Sequence, residues 1–191
     1  MNNIEKIELF AKENYVPIAR KETIEYIKNV FLENNYKSFL EIGTAIGYTS
    51  INVALIDPSI RILTLEYEEK RFNIAKENIK DFNLEKQIQQ VYGDARFFYP
   101  DLYYDVIFID AAKKRNKYFL DKFSKRLNSK GTIIIDNMNL DDLWVDAKKE
   151  KKEKYDLVNK EFKDYIKTLN DYEVNIYDNI GDGIAVLKRK Y

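Results

Sequence analysis

Short apolar runs alternate with longer amphipathic segments along most of this chain, which is typical of an α/β fold. Several of the runs are continuously apolar, so we expect their strands to be covered on both faces of a sheet. The predicted strands are Ser38–Ile42, Ile60–Leu65, Ile88–Tyr92, Val106–Ile109, Thr132–Ile135, Glu173–Tyr177 and Ile184–Lys188.

Helical periodicity fills the intervals between the strands. The predicted order has two helices first, then a helix after each of the first five strands, of which the one after the third strand follows from the alternation and has no range of its own. The last two strands have no helix between them and predict an antiparallel hairpin. Together these elements predict an α/β, Rossmann-like, doubly wound and mostly parallel seven-stranded sheet. The helical patterns cover Ile4–Asn14, Arg20–Asn34, Tyr48–Ile56, Glu68–Phe82, Asn116–Leu127 and about Asp142–Leu169.

Composition narrows the class of protein. A length of 191 residues suits one domain over 1–191, in which 1–36 forms a helical extension before the first strand. No run approaches the roughly 18 apolar residues of a membrane span, and the first residues have no signal-peptide pattern, so we expect a cytoplasmic protein. The 32 basic residues balance the 32 acidic ones, so net charge gives no argument for a nucleic-acid partner.

Two missing residue types restrict the chemistry. The chain contains no Cys and no His, which excludes thiol catalysis, zinc–thiolate sites and a histidine base. A proton removed near neutral pH must go to a carboxylate, a lysine or a metal-bound oxygen. A metal site must use oxygen ligands, which favours Mg²⁺, Ca²⁺ or Mn²⁺.

A glycine loop follows the first predicted strand and opens a helix. Gly43 and Gly47 allow a tight turn and a close approach to a ligand, but their spacing departs from the dinucleotide-binding pattern of glycines. Glu66 ends the second strand, where an acid can accept both hydroxyls of a ribose. Asp94 follows the third strand and can bind an adenine amino group, with Ala95 behind the ring. A plain turn is the alternative for the glycine loop and explains Asp94 at least as well as ligand binding does. A helix-terminal acid is the alternative for Glu66, but its position about 20 residues past the glycine loop favours ribose binding.

Oxygen-bearing side chains also end the fourth and fifth predicted strands. Asp110 follows one apolar run, and Asp136 with Asn137 follows the next. Neighbouring parallel strands present such ends at the same edge of a sheet, so three oxygens could bind an octahedral cation. Lys113 could act as a base or an electrostatic stabiliser beside that cation, although a solvated lysine is the simpler explanation of its basic run.

With these residues identified, the chain resembles the metal-dependent O-methyltransferases of the catechol and caffeoyl-CoA type (O-methyltransferase family 3). The resemblance covers nearly the whole chain, and its most specific parts are Ile109-Asp-Ala-Ala-Lys113 and Asp136-Asn137. It implies S-adenosylmethionine as cofactor, Mg²⁺ at Asp110, Asp136 and Asn137, and catalytic roles for Lys113 and Asp110. The cofactor residues that it implies are Glu41, Gly43, Thr44, Gly47, Tyr48, Ser50, Glu66, Asp94, Ala95 and Asp110.

Within this family the short bacterial members are most similar, and some of them methylate wobble 5-hydroxyuridine in tRNA. The resemblance therefore implies a homodimer, with the helices of 1–36 over the acceptor site and the anticodon region of tRNA as substrate. A small catechol-like substrate is the alternative, since both acceptors offer two adjacent oxygens to a cation. A nucleotide-binding module without catalysis and an NAD-dependent oxidoreductase are the remaining alternatives. The acids at the strand ends argue against the first, and the glycine spacing argues against the second.

Overall fold

The computed structural model describes residues 3–139 and 149–191 of the protein. Within them, seven strands alternate with helices through most of the chain. The helices are α1 Asn3–Glu13, α2 Lys21–Asn34, α3 Tyr48–Ala54, α4 Glu69–Asp81, α5 Asn116–Phe123 and α6 Lys149–Lys167, with 3₁₀ turns at Lys113–Arg115 and Ser124–Arg126. The strands are β1 Ser38–Ile42, β2 Arg61–Glu66, β3 Ile88–Tyr92, β4 Tyr104–Ile109, β5 Leu127–Asp136, β6 Tyr172–Tyr177 and β7 Ile184–Arg189.

The strands form one sheet in the order β3-β2-β1-β4-β5-β7-β6. All pairs from β3 to β5 are parallel, whereas β7 runs antiparallel to both β5 and β6. This confirms the predicted Rossmann-like sheet with its reversed C-terminal hairpin. The chain order reverses between β1 and β4, and such a switch point is where open α/β sheets bind ligands, beyond the carboxyl ends of the strands.

Both faces of the sheet are buried, as the continuous apolar strands predict. Phe39 and Phe108 point into a core that includes α1 to α4, whereas the alternate residues Leu40 and Ile107 point into a second core with α5 and α6. All four side chains are fully buried. No helix among residues 3–139 and 149–191 is long and apolar enough to cross a membrane.

The prediction of a helix after the third strand is wrong, because residues 93–103 form turns between β3 and β4. Pro100 interrupts this segment, and the Lys122 side chain on α5 donates to the carbonyls of Ala95 and Arg96, at 2.8 and 2.6 Å. These carbonyls are therefore satisfied by a side chain rather than by helical hydrogen bonds.

Other boundaries also differ from the predictions. Helix α5 ends at Phe123, and β5 begins at Leu127 rather than at Thr132 because Leu127 is buried and pairs with Tyr104 of β4. The first residues of the predicted helix from Asp142, 142–148, lie outside the described residues, and its described part ends at Lys167.

Candidate active site

A cleft of about 1070 Å³ lies at the carboxyl ends of the parallel strands. Its wall brings together many of the residues that the sequence singled out, although they are far apart along the chain. The predicted residues that line it are Gly43, Glu66, Asp94, Ala95, Asp110, Lys113, Asp136 and Asn137. Residues of α1 and of the segment that follows it, among them Glu8, Tyr15 and Arg20, form another part of the wall.

The loop after β1 is held between the ends of two neighbouring strands. Gly43 has φ +103°, and a Cβ built on it would lie 2.1 Å from the carbonyl oxygen of Asp110. A side chain at this position would therefore overlap the backbone at the end of β4, so only glycine allows the two strand ends to come this close. On the other side, the backbone N–H of Gly43 donates to the carbonyl of Leu65 at 3.0 Å.

Glu66 at the end of β2 is fixed by the backbone on two sides. Its Oε2 accepts the N–H of Ala45 at 2.9 Å, and its Oε1 accepts those of Tyr67 at 3.0 Å and Glu68 at 2.9 Å. The side chain is 4% exposed and lines the cleft. Three amide donors thus hold the carboxyl group at one orientation on the wall, where its remaining lone pairs can accept hydrogen bonds from hydroxyl groups of a ligand.

Glu41 lies behind the glycine loop and is not among the residues that line the cleft. Its carboxyl group accepts hydrogen bonds from the hydroxyls of Ser50 and Thr64, the latter at 2.6 Å. Thr64 in turn lies 2.5 Å from the hydroxyl of Thr44. Burial, together with the negative charge of Asp110, raises the pKa of Glu41 to about 8, although these hydrogen bonds act to lower it. The structure therefore places Glu41 in a buried polar network that supports the loop.

Of the other predicted cofactor residues, Thr44, Gly47, Tyr48 and Ser50 also lie outside the cleft lining. Tyr48 begins α3 and donates to Glu8 of α1 at 2.7 Å, and this contact joins the N-terminal extension to the sheet. Gly47 has φ +86°, and a Cβ there would lie 3.4 Å from Ala75 of α4. Direct contact of these four residues with a cofactor stays a prediction.

Asp94 and Ala95 lie on the wall, but Asp94 has a partner that the sequence did not reveal. The guanidinium of Arg96 donates to its Oδ2 at 2.7 Å, and the backbone N–H of Arg96 donates to its Oδ1 at 2.8 Å. The bonds from the Arg96 side chain lower the pKa of Asp94. A ligand amino group at Asp94 would therefore share this carboxylate with Arg96.

The ends of β4 and β5 bring two carboxylates and an amide together, as predicted. The amide nitrogen of Asn137 lies 3.3 Å from Oδ1 of Asp110, and Nζ of Lys113 lies 3.5 Å from the same oxygen. Asp136 is 3% exposed. Burial and the negative charge of Asp110 raise the pKa of Asp136 to about 7. The pair of acids is thus under mutual repulsion, which a cation between them would relieve.

A second feature that the sequence does not reveal lies on the wall of the cleft. The guanidinium of Arg20, just before α2, donates to both carboxylate oxygens of Asp182 at 3.0 Å. Both residues line the cleft, although 162 positions separate them. Asp182 belongs to the β6–β7 connection, whose carbonyl groups accept the N–H groups of Met138 and Asn139 at 2.8 Å. The N-terminal extension is thereby tied to the segment that follows Asp136 and Asn137.

Comparisons with known proteins agree with this architecture. A Staphylococcus aureus protein described as a candidate caffeoyl-CoA O-methyltransferase has a similar structure, with a TM-score of 0.88 and 32% sequence identity. The match covers 99% of this chain and 93% of that one. An O-methyltransferase from Bacillus cereus in complex with SAH has the same fold, with a TM-score of 0.80 at 21% identity over 98% of this chain and 90% of that one.

Similarity in sequence extends to curated enzymes. A catechol O-methyltransferase from Niastella koreensis is 37% identical over 107 residues, which are 52% of this chain and 48% of the relative. The chain spans about half the length of the curated relatives that it matches in this way, with 45% to 48% of their residues covered. The model of the O-methyltransferase family matches residues 8–190, and the chain therefore belongs to that family.

Proposed function

We propose that the protein transfers the methyl group of S-adenosylmethionine to a hydroxyl oxygen of its acceptor. The observation that carries the proposal is one cleft that combines the Gly43 loop and Glu66 with the acids at the ends of β4 and β5. The Gly43 loop and Glu66 suit an adenosine-containing cofactor. The acids suit a bound cation, which would stabilise negative charge on the acceptor oxygen. Membership of the O-methyltransferase family supports the same reaction.

The residues around Asp110 fit a divalent cation such as Mg²⁺. Two carboxylates, Asp110 and Asp136, and the amide oxygen of Asn137 are the ligand types that this ion prefers, and the Asn137 amide would turn its oxygen rather than its nitrogen towards the ion. Among residues 3–139 and 149–191, no three His, Cys, Asp or Glu side chains form a group that could hold a metal ion. The proposed set includes only two acids, so substrate or water oxygens would complete the coordination. A bound Mg²⁺ would supply positive charge that favours the ionised form of a neighbouring hydroxyl.

The chain's own residues would bind and orient the reactants. The carboxylate of Glu66 accepts the ribose hydroxyls, and Gly43 leaves room for the cofactor beside the end of β4. Lys113 places an ammonium group next to Asp110, where it stabilises negative charge on the acceptor oxygen. In the transfer a bond forms between this oxygen and the methyl carbon, and the carbon–sulfur bond breaks with its electron pair left on sulfur. The hydroxyl proton leaves to solvent.

For the acceptor we propose the 5-hydroxyl of wobble 5-hydroxyuridine in tRNA. The resemblance to short bacterial members of the family supports it, as does the chemistry of a hydroxyl next to a carbonyl, which presents two oxygens to one cation. A small catechol-like molecule is the second candidate, because a catechol O-methyltransferase is among the relatives of the chain. Both acceptors would be methylated in the same cleft. A tRNA would also need a binding surface outside the cleft, whereas a small molecule would not.

The deciding experiment measures transfer from radiolabelled S-adenosylmethionine to two acceptors, with Mg²⁺ and with EDTA. One acceptor is total tRNA from cells that lack this gene, and the other is a simple catechol. Incorporation into a single nucleoside of tRNA, lost with EDTA, supports the proposal. Methylation of the catechol alone would favour the second candidate, and transfer that EDTA does not affect would refute the metal site.

Site variants test the assignment of the acids. Asp110→Asn keeps the size of the side chain but removes its charge, and we expect transfer to fall at least about 100-fold. Asp178→Asn is the matched control, since Asp178 is an exposed acid that pairs with Lys163 and does not line the cleft. Full activity of Asp110→Asn would refute the site, provided that its circular dichroism matches that of the wild type.

A further inference from the structure

Exposed aromatic rings and basic side chains are interleaved on one surface beside the cleft. We name it the aromatic–basic surface and define it by the turns of 93–103 and the helical segment 113–126. Its exposed rings include Phe97, Tyr99 and Tyr103, with 76%, 71% and 55% of their areas exposed. Large exposed apolar groups gathered in one place are typical of a binding surface rather than of ordinary solvent-facing residues.

Each of these rings has a cation over it. Nζ of Lys122 lies 3.9 Å from the ring centre of Tyr99, the guanidinium of Arg96 lies 5.3 Å from that of Phe97, and that of Arg126 lies 5.4 Å from that of Tyr103. A cation can cover only one face of a ring, so rings this exposed keep much of their area open to a planar partner.

The charge of this surface differs from that of the whole protein. Segment 113–126 has seven basic residues and one acid, whereas the whole chain is neutral, with 32 of each. That acid, Asp121, pairs with Lys117 at 2.7 Å. In the turns, Asp94 pairs with Arg96, and Asp101 is exposed. The surface therefore has an excess of positive charge, which complements a polyanion.

We infer that the aromatic–basic surface binds a single-stranded segment of nucleic acid. Open ring faces accept stacked bases, and the interleaved cations contact the phosphates between them, which is how sequence-tolerant single-strand binding is achieved. A duplex hides its base faces and fits such rings poorly. A second copy of this chain on a two-fold axis would place the basic segment against itself, which costs electrostatic energy.

The surface continues into the cleft, because Ala95 and Arg96 belong to both. Lys122 fixes this junction by its hydrogen bonds to the carbonyls of the same two residues. A strand held on the surface would thus lead towards the cleft. The path from the surface to the cleft rests on the proposed methyl transfer to a nucleoside. Binding to the surface does not, and it can be measured without any transfer.

The experiment follows a fluorescein-labelled, 12-nucleotide RNA of mixed sequence by anisotropy, with the full chain and no S-adenosylmethionine. The same sequence as a duplex is the comparison.

We expect Phe97→Ala and Tyr99→Ala each to weaken single-strand binding about tenfold, since each removes one stacking partner. Tyr191→Ala is the matched control, because Tyr191 is an exposed ring at the C-terminus and belongs to neither segment. Arg126→Gln should reduce the slope of log affinity against log salt by about 0.7, the value for one phosphate contact on a single strand.

Several results would overturn the inference. One is equal affinity for the single strand and the duplex, and another is equal affinity of the wild type and both ring variants. A third is a dimer in sedimentation that Phe97→Ala and Tyr99→Ala convert to a monomer, which would assign the surface to a second copy of this chain. Binding of phosphatidylserine vesicles but not RNA would assign the surface to a membrane. Calorimetry with S-adenosylmethionine separates this failure from that of the proposed function. Ring variants that bind the cofactor normally show that the cleft is intact, whereas a wild type that binds RNA but not the cofactor refutes the methyl transfer alone.

Discussion

Replacing Glu41 with Gln should remove a pH dependence from the stability of the protein. Glu41 is 1% exposed, and burial raises its pKa from the ordinary 4.5 to about 8. Between these two values the folded protein keeps a proton on Glu41 that the unfolded chain has lost. The folded state then binds more protons, so the free energy of unfolding must fall as the pH rises.

The size of the effect follows from the difference between the two pKa values. One pKa unit corresponds to about 1.4 kcal/mol, so the shift of Glu41 amounts to a few kcal/mol, on the order of 5 at most. This stabilisation is fully present below about pH 4.5 and is lost as the pH rises through about 8. Glutamine has nearly the same shape but does not titrate. The free energy of unfolding of the wild type minus that of Glu41→Gln should therefore fall steadily from pH 5 to pH 8.

Urea denaturation at pH 5, 6, 7 and 8, without cofactor, measures this difference directly. Glu173→Gln serves as control for the loss of one negative charge, since Glu173 is exposed on β6. A difference that stays constant over this range would refute the reasoning. If the value for the wild type minus that for Glu41→Gln rose with pH, the hydroxyls of Ser50 and Thr64 would stabilise the ionised carboxylate more than burial destabilises it.

Three further substitutions test other parts of the structure. Asp105 accepts the backbone N–H groups of Lys37 and Ser38 at 2.8 and 3.0 Å, and such hydrogen bonds lower its pKa although burial raises it. Its stabilisation is thus present above its unfolded pKa and lost as the pH falls, so Asp105→Asn should cost about 1–3 kcal/mol at pH 7 and less at pH 3 in urea denaturation. Gly43→Ala should destabilise by about 3 kcal/mol or more, because its Cβ overlaps a carbonyl oxygen, and calorimetry should show loss of S-adenosylmethionine binding. Lys113→Met should keep cofactor affinity in calorimetry but lower kcat about 10- to 1000-fold; an unchanged kcat would exclude the proposed role of Lys113.

The sheet and the position of the acids were predictable because both depend on local pattern. Each apolar run contains its own strand, and a polar residue after such a run must lie at the sheet's edge. Asp110 and Asp136 follow neighbouring runs, and the parallel pairing of β4 with β5 places them together. The parallel pairing follows in turn from the predicted helical pattern of Asn116–Leu127 between them, since a helical crossover joins parallel strands.

The partners of these residues were not predictable, since they depend on contacts between distant segments. Arg20 and Asp182 stand 162 positions apart, and no periodicity relates them. The turns of 93–103 were also missed, because the Lys122 side chain that satisfies their carbonyls comes from the next helix. Alternation of strands and helices favours a helix in every interval, and only the tertiary contact shows that this interval contains none.

Glu41 and Glu66 show how far the sequence can assign a role to a residue. Both are acids in or at the end of parallel strands, and the resemblance gave both to the cofactor. In the structure, Glu66 lines the cleft and accepts three backbone N–H groups, whereas Glu41 lies below the loop among hydroxyls. The carboxyl group of Glu66 can still accept hydrogen bonds from a ligand in the cleft, whereas burial raises the pKa of Glu41 and so favours its protonated form. Contact of either acid with a cofactor stays a prediction, but the different surroundings of the two carboxyl groups depend on contacts that the sequence alone does not show.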